Sequence, residues 1–338
     1  MGVVVVGAGI AGLACARELV RSGVTVRVLE RDRVVGGRLG AARVAGRDAD
    51  VGAGYFTADD PAFVAQVRQW LLAGLARPWT DTLMAYERSG PPHASTGPVR
   101  FTAPGGLRVL AADLATGLDV TLGCEVTELP RADAVVLAMP GPQALRLLAA
   151  DQAADQAADQ AVDQAVDKSA DEAEGTDGGG PGGIGPVVEA ARLQRWSPVL
   201  AAVLTYPERT WAAFRGAFVN DHPVLATLFD DGDRRGDGAP VLVAHANAGF
   251  ATEHLDLPAN AGPEMERATR ELLGLPAPAT TVHVHPWPYA QPLPRPDAAE
   301  FVLGGGVALA GDAFGRPRVQ TAWLSGRAAG AALAARLS

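Results

Sequence analysis

Apolar residues fall along this chain in two forms, short unbroken runs and spaced stripes, and together they predict alternating strands and helices. Val3 to Val6 is apolar at every position and too short for a helix, the pattern of a strand covered on both faces. It leads straight into Gly7-Ala-Gly9-Ile-Ala-Gly12 and a helix expected over Ile10 to Arg21. A second strand is expected over Val24 to Leu29, ending at Glu30. Further along, a helix is expected from Gly105-Gly106 to Thr116, short strands at 120–122 and 124–126, a buried strand at 134–139, and a helix from Gln143 to Ala150. Residues 199–205 and 241–246 read as strands of another sheet. Residues 264–273 form an amphipathic helix closed by Gly274 and Pro276. Val307 to Gly311 is a last strand, followed by an alanine-rich helix from Val319 to Leu337.

The order strand, glycine triplet, helix, strand, acid carries chemistry. Gly7 permits a tight turn, Gly9 lets the backbone approach a pyrophosphate, and Gly12 lets helix and strand pack closely. The helix start at Ile10 and Ala11 turns its positive end toward phosphate. Glu30 follows Gly12 by 18 residues, where a carboxylate can accept from a ribose hydroxyl. The fold class expected is α/β. A discontinuous Rossmann-type domain (1–55, 98–150 and 290–338) holds a dinucleotide, and an inserted α+β substrate domain on a mixed or antiparallel sheet takes up 56–97 and 186–289.

Composition changes this picture at one place. The net charge of −9 is concentrated in residues 151–180, which hold nine acids against Lys168, the single lysine of the chain. Residues 151–167 repeat Asp-Gln-Ala-Ala or Asp-Gln-Ala-Val and 175–185 are mostly glycine. With almost no large apolar side chain to bury, 151–185 is expected to be a disordered insertion. The remainder is nearly neutral and has no basic stripe, which argues against nucleic acid as a partner. No apolar run reaches the roughly 20 residues of a membrane span, and no leader is expected at the N-terminus. The two cysteines, Cys15 and Cys124, lack metal-ligand spacing. The expectation is a cytoplasmic protein without a metal, monomer or dimer.

A second glycine turn distinguishes among dinucleotides. Gly36-Gly37-Arg38 follows the second strand closely, offering two amides and a guanidinium to phosphate oxygens, although a plain hairpin turn has the same composition. With Gly311-Asp312 near the C-terminus, the chain here resembles the flavin amine-oxidase superfamily. A closer resemblance, to its renalase-like branch, lies in Asp50-Val-Gly52-Ala53-Gly54-Tyr55-Phe56-Thr57, in residues 243–255 and in Ala322-Trp323-Leu324-Ser325-Gly326-Arg327. The resemblance implies noncovalent FAD held by Gly7, Gly9, Ile10, Ala11, Gly12, Glu30, Arg31, Gly36, Gly37, Arg38, Gly52, Ala53, Gly54, Val126, Gly311, Asp312, Val319 and Ala322. Asp312 would bond the ribityl or phosphate region, or simply cap the last helix, whose first amides would face the flavin pyrimidine.

Three departures from that pattern stand out. Ala41 occupies a position where the superfamily commonly has Ser or Thr. Val51 and Gly54 stand where the branch usually has His and Gln. His285-Pro-Trp287-Pro-Tyr289 lacks two arginines of the branch. The resemblance implies an oxidase that takes a hydride from a dihydronicotinamide-type compound and returns electrons to O2 as hydrogen peroxide. No acid or base is required at the substrate, so no catalytic residue is named. Tyr55, Phe56, His245 and Trp287 are candidate substrate residues, each equally explained by core packing. Two other readings stay open. One is amine oxidation without the lysine that many of these oxidases use, and the other is a flavin-binding protein without turnover.

Overall fold

The computed structural model describes residues 2–149, 183–211, 214–294 and 299–338. Two sheets organise it. The first contains β1 (Val3–Val6), β2 (Val26–Glu30), β7 (Asp119–Leu122), β8 (Ala134–Leu137), β14 (Phe301–Gly304) and β15 (Val307–Ala310). Their order is β14-β15-β8-β1-β2-β7, all parallel except β14. β1 is central, and its four valines divide by parity. Val3 and Val5 join the core beneath one helical layer, and Val6 joins the core on the opposite face. The first layer contains α1 (Ile10–Arg21), α2 (Pro61–Leu72), α3 (Arg108–Ala115) and α9 (Val319–Leu337), and the second contains α4 (141–149) and α5 (Gly185–Leu193). This is a Rossmann-type α/β arrangement, as the strand and glycine pattern predicts.

The second sheet has seven strands: β5 (Arg77–Tyr86), β6 (His93–Thr102), β9 (Trp196–Thr205), β10 (Gly216–Val219), β11 (Leu225–Asp230), β12 (Val241–Ala246) and β13 (Thr281–Pro292). Their order is β13-β9-β12-β11-β10-β5-β6, antiparallel except for the β5–β10 pair. One face carries Leu200, Ala202, Leu204, Leu242 and Ala244, buried with residues of α7 (Ala248–Glu253) and α8 (Gly262–Leu273). The other carries Ala201, Val203 and Val243, covered by the hairpin of β3 (Ala41–Val44) and β4 (Arg47–Asp50) with Val51. A short helix α6 (Asp231–Arg235) follows β11.

Several expectations need correction. Residues 124–126 are not a strand, because Gly123 turns the chain at φ +66° after β7 and pairing stops at Leu122. The second strand starts at Val26 rather than Val24, and the helix after Gly106 starts at Arg108. Phe63, Val67 and Trp70 of α2 pack into the core of the first sheet, so packing does not change at residue 56. Likewise β6 and β13 run across the boundaries placed at 97/98 and 289/290. Most of the insertion at 151–185 lies outside the described residues. Its last residues do not: Ile184 packs on the core beside β8 and β15, and α5 begins at Gly185. No helix among the described residues is long and apolar enough to cross a membrane.

Candidate functional site

The carboxyl ends of β1, β2 and β15 bring together the Gly7–Gly12 loop, the Gly36-Gly37-Arg38 turn and Gly311-Asp312. Gly7 turns at φ +106° with its Cα close to the Ala138 carbonyl, where a Cβ would come within 2.7 Å of the oxygen. Gly12 lies so near the Gly7 carbonyl that a side chain would overlap it. No side chain caps α1, so its first amides are left for another acceptor. Gly9 faces open space, with nothing within 4 Å of where a Cβ would stand. Ile10 and Ala11 continue from it into the core.

The Gly36-Gly37 turn docks directly on this loop. Gly36 N–H donates to the Ala8 carbonyl at 2.9 Å, and a Cβ on Gly37 would lie 3.4 Å from the Gly9 Cα. Both glycines have positive φ, +125° and +52°. Arg38 then reaches across to Asp312 in a two-pronged ion pair, 2.8 Å and 2.6 Å, while its guanidinium stacks 4.9 Å from the Trp196 ring. Gly311 also faces open space, and its N–H donates to Ser325 Oγ of α9 at 2.8 Å. Two open glycines flanking a glycine–glycine contact, with an Arg–Asp pair between the elements, make a cradle that side chains would fill. The cradle fits an extended nucleotide.

Not every residue plays the part expected of it. Glu30 is buried, and its carboxylate accepts from the Ala8 amide at 2.6 Å and the Asp32 amide at 2.9 Å, so it also braces the glycine loop. Arg31 points to solvent and pairs with Asp32 at 3.6 Å. Val126 is part-buried against the core at β8. At the start of α9, Gln320 accepts from the Asp59 amide at 2.8 Å and Arg318 pairs with the Asp59 carboxylate at 2.6 Å. Val319 opens that helix, and Ala322 is buried in its core.

Between the cradle and the second sheet runs residues 50–56. Gly52 is pressed on the Arg38 carbonyl, which accepts from Ala53 N–H at 2.9 Å. Gly54 is buried against Phe229, and a Cβ there would come within 2.5 Å of the ring. Phe229 therefore occupies the space that a longer side chain at 54 would use. Tyr55 meets Phe229 edge-on at 6.0 Å and lies 6.4 Å from Trp79. Phe56, a candidate substrate residue, is instead 2% exposed among Phe63, Trp70 and Phe101. That burial makes it a core residue.

The strand registers align a row across the facing sheet: Phe218 opposite Thr227, Thr227 opposite His245, His245 opposite Ala201, and Ala201 opposite His285. Directly opposed residues point to the same face, so these side chains share the surface toward the 50–56 segment. His245 Nδ1 is 3.1 Å from Thr227 Oγ1, its Nε2 is buried without a hydrogen-bond partner, and its ring meets Phe229 at 5.8 Å. Burial, then the charge of Arg234, push its pKa down to about 4, with the Val51 backbone opposing, so the imidazole is neutral at pH 7. Trp287 donates to the Val51 carbonyl at 2.9 Å and stands 4.5 Å from His285. Of the four substrate candidates, Tyr55, His245 and Trp287 thus converge on one face.

Sequence reasoning missed the group that holds this segment in place. Arg234, fully buried, donates to the carbonyls of Gly54 and Asp50, each at 3.1 Å, and pairs with Asp231 at 2.5 Å. Asp50 pairs with Arg235 at 2.8 Å; burial raises its pKa, Arg234 lowers it and Asp231 raises it again. Only the adjacent charges of Asp231-Gly-Asp-Arg-Arg235 hint at such a network, and an exposed turn would look the same.

Comparisons with known proteins agree with the fold. Residues 5–70 match the NAD(P)-binding Rossmann-like domain family. Over 64 residues the chain is 56% identical to a protein of Mycobacterium tuberculosis named as a flavin-containing monoamine oxidase, AofH. That stretch is 19% of this chain and spans only 14% of the curated relative's length. Among solved structures, a double mutant of putrescine oxidase with redesigned cofactor binding aligns over 99% of both chains at 15% identity and a TM-score of 0.71. A protein of Exiguobacterium sp. 255-15 named as a protoporphyrinogen oxidase aligns over 99% of this chain and 98% of its own, with 13% identity and a TM-score of 0.71. Cyclohexylamine oxidase from Brevibacterium oxydans aligns over 99% of both chains, with 14% identity and a TM-score of 0.69. The fold is thus shared with these oxidases along the whole chain.

Proposed function

We propose that this chain is an FAD-dependent oxidase of the flavin amine-oxidase kind, acting on a small molecule that carries hydrogen on a carbon next to nitrogen. The convergence of the Gly9, Gly37 and Arg38–Asp312 elements beneath one face of the second sheet carries this reading. Gly9, Gly37 and Arg38 would hold the pyrophosphate, Glu30 the adenosine ribose, and Asp312 the ribityl region. When bound, the flavin supplies the hydride acceptor, and O2 reoxidises it with release of hydrogen peroxide. The chain's own contribution is orientation and exclusion of water. Tyr55, Trp287 and neutral His245 present an apolar, uncharged surface on which a substrate can lie. Attachment is noncovalent: Cys15 is buried in α1, and Cys124 follows β7, where its N–H bonds the Glu30 carbonyl, at the adenosine end.

The relatives named as amine oxidases favour an amine as the substrate. The renalase-like resemblance in residues 50–57 supports a second reading, a dihydronicotinamide, and the absence of lysine from the described residues suits a reaction without one. An anaerobic screen decides between them. The purified protein is expected to be yellow, to release its flavin into the supernatant on acid precipitation, and to bleach with amines. It should form peroxide when air is readmitted. Bleaching by dihydronicotinamide isomers alone would select the second reading. A folded, colourless protein that takes up no FAD would overturn both.

A further inference from the structure

Most charges that frame the site are paired; Arg77 and Arg108 bond backbone carbonyls instead. Of the two buried arginines among the described residues, Arg100 and Arg234, only Arg100 has no carboxylate. Arg234 has Asp231, Arg235 has Asp50, and Arg38 has Asp312. Arg100 of β6 is 5% exposed, and among the described residues no carboxylate forms an ion pair with it. Its one hydrogen bond runs from Nη1 to the Asp81 carbonyl at 2.7 Å, and Nε is buried with no acceptor. Nearby acids are engaged elsewhere: the Asp81 carboxylate takes the Thr82 hydroxyl, and Asp233 takes the Trp79 indole N–H. The guanidinium instead lies against two part-exposed rings, Tyr55 at 5.2 Å and Phe218 at 5.6 Å. Ring faces recover part of the cost of burying a cation, but they supply no anion.

The place of this cation gives it meaning. Phe218 begins the cross-strand row that continues to Thr227 and His245, and Tyr55 belongs to the segment laid over that row. Arg100 therefore stands at one end of the face assigned to substrate. Its unused edge, Nε with Nη2, is the two-donor edge that pairs side-on with a carboxylate. From this we infer that Arg100 is a specificity residue that binds a carboxylate of the substrate, so that the molecule oxidised is an amine bearing an acid group. The inference rests on the oxidase reading and narrows it. It also disfavours a diamine, whose second ammonium would meet a buried like charge.

Benzoate and benzamide, matched in shape and different in charge, provide the test by isothermal titration of the flavin-loaded protein. The wild type is expected to bind benzoate at least tenfold more tightly than benzamide. Arg100→Gln should lose that preference while binding benzamide unchanged, and Arg100→Lys should keep only part of it. In turnover, kcat/KM should favour L-phenylalanine over 2-phenylethylamine in the wild type and reverse in Arg100→Gln. Equal binding of the two probes by the wild type, or binding of neither, overturns the carboxylate assignment without reliance on any variant folding. A benzoate preference retained in a protein that no amine or dihydronicotinamide reduces supports the anion site and overturns the oxidase reading instead.

Discussion

At the scale of single residues, the site depends on what glycine leaves out. Gly54 is informative because the space its side chain would take is filled by Phe229 of β11. Restoring the glutamine of the resembled branch, Gly54→Gln, should overpack that contact and destabilise the protein by about 1–3 kcal/mol. Adding Phe229→Ala should return part of the loss, and urea unfolding of both variants would show it. His245 makes a second prediction. Its pKa of about 4 lies below the ordinary 6.5. Between those values the unfolded chain takes up a proton that the folded chain refuses, so stability is complete above pH 6.5 and falls as pH drops toward 4. His245→Gln should remove about 2 kcal/mol of the stability difference between pH 7.5 and 5, measured by urea unfolding at each pH. The fully buried site residues are where sequence reading was weakest. Phe56 and Tyr55 are adjacent aromatics, yet one lies in the core and the other over the sheet, and only packing separates them.

At the scale of elements, the two helices flanking the nucleotide cradle were legible to the residue. α1 and α9 run over the expected residues: Gly9 marks the start of α1, and the alanine-rich run after Arg318 marks α9. Their mutual packing follows from the same small residues: Gly326 is pressed against the Ala11 carbonyl, and Gly330 sits over the Cys15 backbone. Gly326→Ala should force α9 off α1, costing roughly 3 kcal/mol or more and loosening flavin through the Gly311–Ser325 bond. Thermal melting with and without added FAD would report both effects. Strands β5, β6, β10, β11 and β13 were not legible. His93 to Thr102 is polar, mostly exposed and interrupted by Gly97 and Pro98, and it becomes a strand by pairing with β5. Pairing of that kind joins distant segments and leaves a weak mark in local pattern.

At the scale of the whole molecule, two sheets meet at residues 50–56, and buried charge fixes how they meet. Arg234 on α6 binds carbonyls of Asp50 and Gly54, so the short helix after β11 sets the height of the segment over the second sheet. Arg234→Met should leave Asp231 to Arg47 alone and Asp50 to Arg235 alone, free two buried carbonyls of their donor, and cost about 3 kcal/mol. Flavin binding should weaken at the same time, as equilibrium dialysis would detect. The sequence by itself determined the dinucleotide-binding half: a valine strand, glycine turns at Gly7–Gly12 and Gly36–Gly37, and an acid at Glu30 are local features whose backbone demands few other arrangements meet. Only the tertiary structure decided which side chains share the face proposed for substrate. Phe218, Thr227, His245 and His285 become neighbours through strand register, and Arg100 comes to lie without an anion because the fold places every nearby carboxylate with another partner. Such relations depend on the summed packing of segments far apart in the chain, and no stretch of it carries them alone.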